Sequence, residues 1–451
     1  MELTPEEKAL EFIAEVEALA KMLLTKLAEK TPRVQDKYDY YNADNDTRDY
    51  GISVPRKMRN IRPGVGWAAR AVNTLSDRIN FDGFANDTFG VNKVWDEING
   101  RSIVNKAKHD SEIAGCAFVA IADDIENNRK TLIPFTALEA TGTMDMNTGL
   151  LKYGLAVTRW SVPDPKKRSK WMSEPIDYIL YTPDYTAIFE DKILCDIKKN
   201  DTKRVLLHPI TNRMSVDMPL GKSRLSKTVR RIIQEVSRVK LRYEIAGEFY
   251  STPQRYINGL AQGAEKDPAL DSAIGMVWAV NKDDDGDKPD IGQLAQMTIN
   301  QFSEQKKDLA RDFCAETGLT LRNLGYETSN PSSAESLAAL SDDLRLEAQS
   351  RQTEIGEQIR QIAITLRLAM DGNSEVPEEL NKITPSFAPI FQVDIGAAGD
   401  AMFKLFDVMP ELQGTLTAYK MLGFSIREAE ELAKVRASQQ GGAFMQQGGA
   451  Q

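Results

Sequence analysis

Apolar residues between positions 331 and 372 recur at three- and four-residue steps. Leu337, Leu340, Leu344, Ala348, Ile355, Ile359, Ile362 and Leu366 fall on one face of a helix. The run is entered through Asn330-Pro331-Ser332-Ser333 and closed by Asp371-Gly372. Ser332 or Ser333 can accept from the free N–H groups of the first turn, and Glu335 stands at the positive end of the helix dipole. Such a helix spans roughly 55 Å, longer than a compact domain needs, and reads as a strut in a large assembly.

The same periodicity predicts an amphipathic helix over 4–30. Thr4 is its N-cap, Pro5 its first residue and Glu7 the capping-box acid, and Leu10, Phe12, Ile13, Val16, Leu19, Leu23 and Leu27 supply its face. A polar, Tyr-rich loop is expected at 38–45, a second helix from Gly66 to about Asn80, and a helix over 103–111 leading into a strand at Ala117–Ile121. From there to Leu207 the texture is β, broken by Asn127-Asn128, Asn147-Thr148-Gly149 and Pro163-Asp164-Pro165. A basic helix follows over 225–250, stopped by Pro253, with a mixed insertion over 253–291 and another helix from Gly292 to about Glu316. The C-terminal region reads as a strand at Phe391-Gln392-Val393 and helices near 397–409, 410–422 and 425–437. Ser425 is the N-cap of the last and Glu428 its capping-box partner, and a Gln/Gly-rich, disordered tail completes the chain at 439–451.

Composition narrows the chemistry. The chain has 451 residues, enough for two or three structural units, and a net charge of −9 that argues against a general nucleic-acid binder. An acidic protein can still let DNA slide past it. Cys116, Cys195 and Cys314 have no CxxC spacing and read as buried thiols of a reducing compartment. No signal peptide is visible, and the longest apolar run, Ile113–Ala122, is too short to cross a bilayer; the expectation is a cytoplasmic chain.

Each catalytic motif tested is incomplete. Gly221-Lys222-Ser223 ends like a phosphate-binding loop, but the position five residues earlier is Val216, so a tight turn before a helix is the better reading. Asn281–Gly286 begins like a calcium loop, but its twelfth position is Gly292 and Pro289 intrudes. His109 and His208, the two histidines, lack a neighbouring ligand residue, and the adjacent acids Asp123-Asp124 and Asp342-Asp343 do not converge locally. No catalytic residue, cofactor or metal is expected. On the basic helix, Lys227, Arg230, Arg231, Arg238, Lys240 and Arg242 form either a solvated surface paired with acids or a face for phosphates or for a neighbouring subunit's acids.

In order along the chain, Tyr40-Tyr41-Asn42-Ala43-Asp44, the segment Ala71–Phe84, Gly115-Cys116-Ala117-Phe118-Val119, Asn212-Arg213 with Gly221-Lys222-Ser223, Ser251–Gly259 and Asn330–Leu337 resemble motifs of one family. It is the portal proteins of tailed double-stranded DNA phages, siphovirus type. The resemblance implies an α+β, mostly helical architecture. A wing spans 1–218, a first stem helix 219–250, a clip 251–291, a second stem helix with its connection 292–325, and a tunnel loop 326–333. The long wing helix and a return strand take 334–396, and crown helices 397–438.

It further implies a homo-oligomeric ring, expected to be a dodecamer, at one capsid vertex of the virion, assembled in the host cytoplasm. DNA would pass through it in packaging and ejection. Partners would be the terminase large subunit, head–tail adaptor proteins, and the major capsid and scaffold proteins, with no membrane. Tyr326, Glu327, Thr328, Ser329 and Asn330 would face DNA. Asp283, Asp284, Asp285 and Asp287 would belong to the docking clip, and the six basic residues to the stem. A helical ring or scaffold without a DNA role is the structural alternative. An enzyme would need a nucleotide or metal site that the sequence does not display.

Overall fold

In the computed structural model, which describes residues 5–46, 63–124, 126–127, 129–161, 173–250, 255–258, 290–293, 299–326, 342–390 and 395–447, the first helix α1 spans Pro5–Tyr41. It thus continues beyond Lys30 and takes in Tyr38–Tyr41, where a loop was expected. Pro32 lies inside it and removes one helical N–H, which ordinarily kinks or ends a helix. Tertiary anchors outweigh that loss. Val34 and Tyr40 are buried, and Lys26, Lys30 and Lys37 donate through Nζ to the carbonyls of Gly142, Ala140 and Ala114 at 2.8, 2.7 and 2.5 Å.

Residues 1–43, 66–227 and 317–451 form one compact unit, and 44–65 with 228–316 a second. Among its described residues the first unit holds three antiparallel sheets. One has five strands in the order β4 (Ala140–Met144), β5 (Leu151–Trp160), β6 (Pro175–Tyr181), β7 (Tyr185–Glu190) and β8 (Ile193–Lys199). The turn between its last two strands puts Asp191 and Lys192 at φ 50° and 68°, the two left-handed residues that a tight hairpin needs. Val16, Ala20, Leu23 and Leu27 of α1 pack on this sheet against Leu155, Val157, Leu180 and Phe189, so the predicted helix face is the packed one.

The second sheet orders β3 (Arg129–Thr136), β2 (Cys116–Asp124) and β9 (Leu207–Thr211). The third pairs β1 (Phe81–Ala85) with β12 (Thr384–Phe387). Phe81, Phe84 and Phe387 of this sheet and Trp95 beside it make edge-to-face contacts with centroids 5.1–6.1 Å apart. The second helix was expected to run to about Asn80, but α2 (Trp67–Ser76) stops at Ser76, and Phe81–Ala85 pairs as a strand with a partner about three hundred positions away. The strand expected at Phe391–Val393 lies outside the described residues.

Two short helices, α3 (Val91–Glu97) and α4 (Gly100–Ala114), precede β2. Helix α5 spans Lys227–Tyr250 and α6 Asn300–Thr317. Gly292 does not begin a helix: it lies in β11 (Asp290–Gln293), antiparallel to β10 (Arg255–Asn258). The long helix, α7, is described over Asp342–Asp371, 30 residues or about 45 Å; the expected start at 331–341 lies outside the described residues. Leu344, Ala348, Ile355, Ile359, Ile362 and Leu366 are buried along it, as the periodicity predicts.

Near the C-terminus helices span Ile395–Val408, Leu416–Met421 and Ile426–Gln447. The capping box is made, with Glu428 N–H donating to Ser425 Oγ at 3.3 Å and Ser425 N–H to Glu428 Oε2 at 2.8 Å. The last helix continues through 439–447, where disorder was expected; Ala, Gln and Met are good helix formers, and they outvote the two glycines there.

Candidate functional site: the basic helix and the charged joint before it

The segment that leads into α5 is fixed residue by residue. Gly221 takes φ +79°, and a Cβ there would lie 2.5 Å from the Gly115 carbonyl oxygen and 2.6 Å from that of Asn212. Only glycine meets both demands, which explains the Gly-Lys-Ser sequence as a turn. Lys222 N–H donates to Asn212 O at 2.6 Å, and Ser223 Oγ donates to Ile113 O at 2.5 Å while accepting from Leu225 N–H at 3.0 Å.

Next stands Arg224, 5 % exposed. Its Nε donates to Ala71 O at 2.9 Å, one Nη to Thr317 O at 2.7 Å and the other to the Glu347 carboxylate, while its own N–H donates to Glu112 O at 2.9 Å. One guanidinium thus joins α2, the end of α6 and α7. Arg213 also reaches Glu347 at 2.6 Å. Matching its donors in this way offsets the cost of burying an arginine. A second buried arginine stands at the core spacing of α7. Arg351 lies three positions after Ala348 and is 2 % exposed, with Nη1 donating to Thr211 O at 2.8 Å and to Glu354 at 2.7 Å.

The six basic residues of α5 do not form one bare stripe. Lys227 and Arg231 are exposed, while Arg230, Arg238, Lys240 and Arg242 are half-buried. Lys240 Nζ donates to Gly64 O at 3.0 Å, and Arg238 stands 3.9 Å from Glu235. Of the residues expected to face DNA, Tyr326 is half-buried after a short 3-10 turn at Leu321–Leu324, its N–H donating to Leu321 O at 3.1 Å. Glu327, Thr328, Ser329 and Asn330, and the acids Asp283, Asp284, Asp285 and Asp287, lie outside the described residues.

The histidines are placed as packing residues. His109 lies within 3.0 Å of Asn73 Oδ1 and 3.2 Å of the Tyr41 hydroxyl. His208 is 3 % exposed on β9. Burial draws its pKa down to about 3, so it is neutral at physiological pH. Cys116 and Cys314 are buried, but Cys195 is exposed on β8, the edge strand of the five-stranded sheet, whose Leu194 and Ile197 turn to the core. Among the described residues no group of three or more His, Cys, Asp or Glu could hold a metal, and no helix is long and apolar enough to cross a membrane.

These observations define a mixed α+β protein whose buried charges tie distant segments together. No family profile matches the chain. Two phage proteins are similar to it over most of their length. The portal protein of Mycobacterium phage D29 is 20% identical over 433 residues, covering 91% of this chain and 87% of that protein. The portal protein of Mycobacterium phage L5 is 22% identical over 421 residues, covering 88% and 83%. The likeness to phage portal proteins drawn from the sequence motifs therefore holds along nearly the whole chain.

Proposed function

We propose that this chain is a phage portal subunit that assembles as a closed ring, with twelve copies expected, at one vertex of the capsid. The observation that carries this reading is the near end-to-end similarity to two portal proteins, rather than a match confined to one segment. The ring would be the channel for DNA in packaging and ejection and the docking site for the terminase large subunit and the head–tail adaptors, within a shell of major capsid and scaffold proteins. Residues 1–218 and 334–396 would form the wing, α5 and α6 the stem, 251–291 the clip, and the C-terminal helices the crown. A dozen copies carrying −9 each amount to about −110, which disfavours tight adhesion of DNA and suits a conduit.

The test is electron microscopy of the purified protein with native mass spectrometry. A closed ring of about a dozen copies with an axial channel is expected. A compact small oligomer without a channel would overturn the reading. Within the ring, Glu327 and Asn330 leave the loop 326–330 without a Lys or Arg, so its contacts with DNA are steric and water-mediated. Charge reversal by Glu327→Lys is expected to slow DNA translocation in a packaging assay without preventing ring assembly. Unchanged packaging kinetics would remove that role.

A further inference from the structure

Beneath the joint lies a carboxylate that uses neither of its oxygens. Glu112 of α4 is fully buried, and within the described residues both Oε1 and Oε2 accept no hydrogen bond. A buried carboxylate in that condition is costly whenever it is ionised. Burial, the largest influence, pushes its pKa up to about 7, against the pull of Lys108, Arg351 and Arg224 and with a further push from Glu347.

Three cations from three segments surround it, and two are committed elsewhere. Lys108, one turn back on α4, donates through Nζ to Ser76 O at 2.7 Å and to Ile79 O at 2.5 Å, with Asp77 nearby. Arg224 spends its three nitrogens on Ala71, Thr317 and Glu347. Arg351 differs. Its Nη1 serves Thr211 and Glu354, but its buried Nε and Nη2 have no acceptor. Nε and Nη2 are the two nitrogens of the side-on fork that arginine offers to a carboxylate. An unused bidentate donor and an unused bidentate acceptor are buried within each other's field, on α7 and α4.

We propose that α7 has a second resting position, in which the Nε–Nη2 fork of Arg351 closes on the Glu112 carboxylate, and that protonation of Glu112 sets the balance between the two positions. The sign follows from the charges. In the arrangement described, the proton on Glu112 relieves an unsatisfied buried anion, so acid favours it. In the closed arrangement the arginine stabilises the anion, so loss of the proton favours that one. Nη1 keeps Thr211 and Glu354 throughout, which limits the movement to a small shift of α7 over α4. The device lies in the first compact unit and does not depend on ring formation.

Structures of the full chain at pH 5.5 and 8.5 test it directly. At pH 8.5 both oxygens of Glu112 are expected at charge-assisted hydrogen-bond distance, about 2.7–2.9 Å, from Nε and Nη2 of Arg351, and at pH 5.5 the two groups are expected apart. Hydrogen exchange of the 342–371 amides, corrected for the intrinsic effect of pH, should show protection rising by about tenfold between those pH values. Glu112→Gln, which cannot ionise, and Arg351→Lys, which lacks the fork, should each flatten that rise. An ordered water bridging the two side chains unchanged at both pH values would overturn the proposal, as would a wild-type response that Glu112→Gln retains. Should either variant fail to fold, the wild-type pair of structures decides alone.

Discussion

At Gly221 two demands coincide, a positive φ and a carbonyl oxygen where a Cβ would stand. Gly221→Ala is therefore expected to destabilise the first unit by roughly 2–4 kcal/mol through backbone strain and overpacking, read as a lower midpoint in urea unfolding. His208 titrates far below the ordinary histidine range. Its pKa falls from the ordinary value near 6.5 to about 3, so the stability tied to its neutral form is complete above pH 6.5 and is lost as pH falls through 3. His208→Leu should weaken the fall in melting temperature across that window and leave the neutral-pH side unchanged. Neither residue advertises its surroundings in the sequence. A glycine before Lys-Ser and a histidine after two leucines become informative only once the carbonyls and the sheet around them are in place. Arg224 was equally silent, since one arginine in a basic stretch says nothing of three acceptors drawn from positions 71, 317 and 347.

Helices were legible where burial follows a single period. The steps from Val16 through Ala20 and Leu23 to Leu27, and from Leu344 to Leu366 on α7, are the packed faces. Leu23 is fully buried in the contact between α1 and the five-stranded sheet, so Leu23→Ala should cost about 2–5 kcal/mol in chemical denaturation, whereas exposed Met22 replaced by Ala should change little. The box of Ser425 and Glu428 was readable because both halves lie within one turn. Elements fixed by distant partners were not. The strand Phe81–Ala85 exists because Thr384–Phe387 pairs with it, and α1 outlasts Pro32 because three lysines hold it to carbonyls of other segments. The basic helix was found in place, but its half-buried Arg230, Arg238, Lys240 and Arg242 follow from packing that charge counting cannot see.

For the whole molecule the governing number is the net charge of −9. Copies of one acidic chain repel, and that repulsion is screened as ionic strength rises. For the proposed ring, its proportion in sedimentation velocity should therefore increase between about 0.05 and 0.5 M salt, over which the Debye length shortens from about 14 Å to about 4 Å. A fall in ring content would point instead to complementary ion pairs between copies. The joint at Arg224 has a consequence for how such a chain can diversify. The chain leaves the first compact unit after Lys227 and re-enters it at Thr317, and Arg224 and its carbonyl partners fasten those two places together inside that unit. Whatever is threaded between them is, to the first unit, a loop whose ends are already closed. Doubling the length of such a loop adds only about 0.6 kcal/mol of closure entropy, so insertions and deletions there are nearly invisible to the remainder of the fold. Selection is free to rewrite that stretch for new surroundings while the stapled base stays the same.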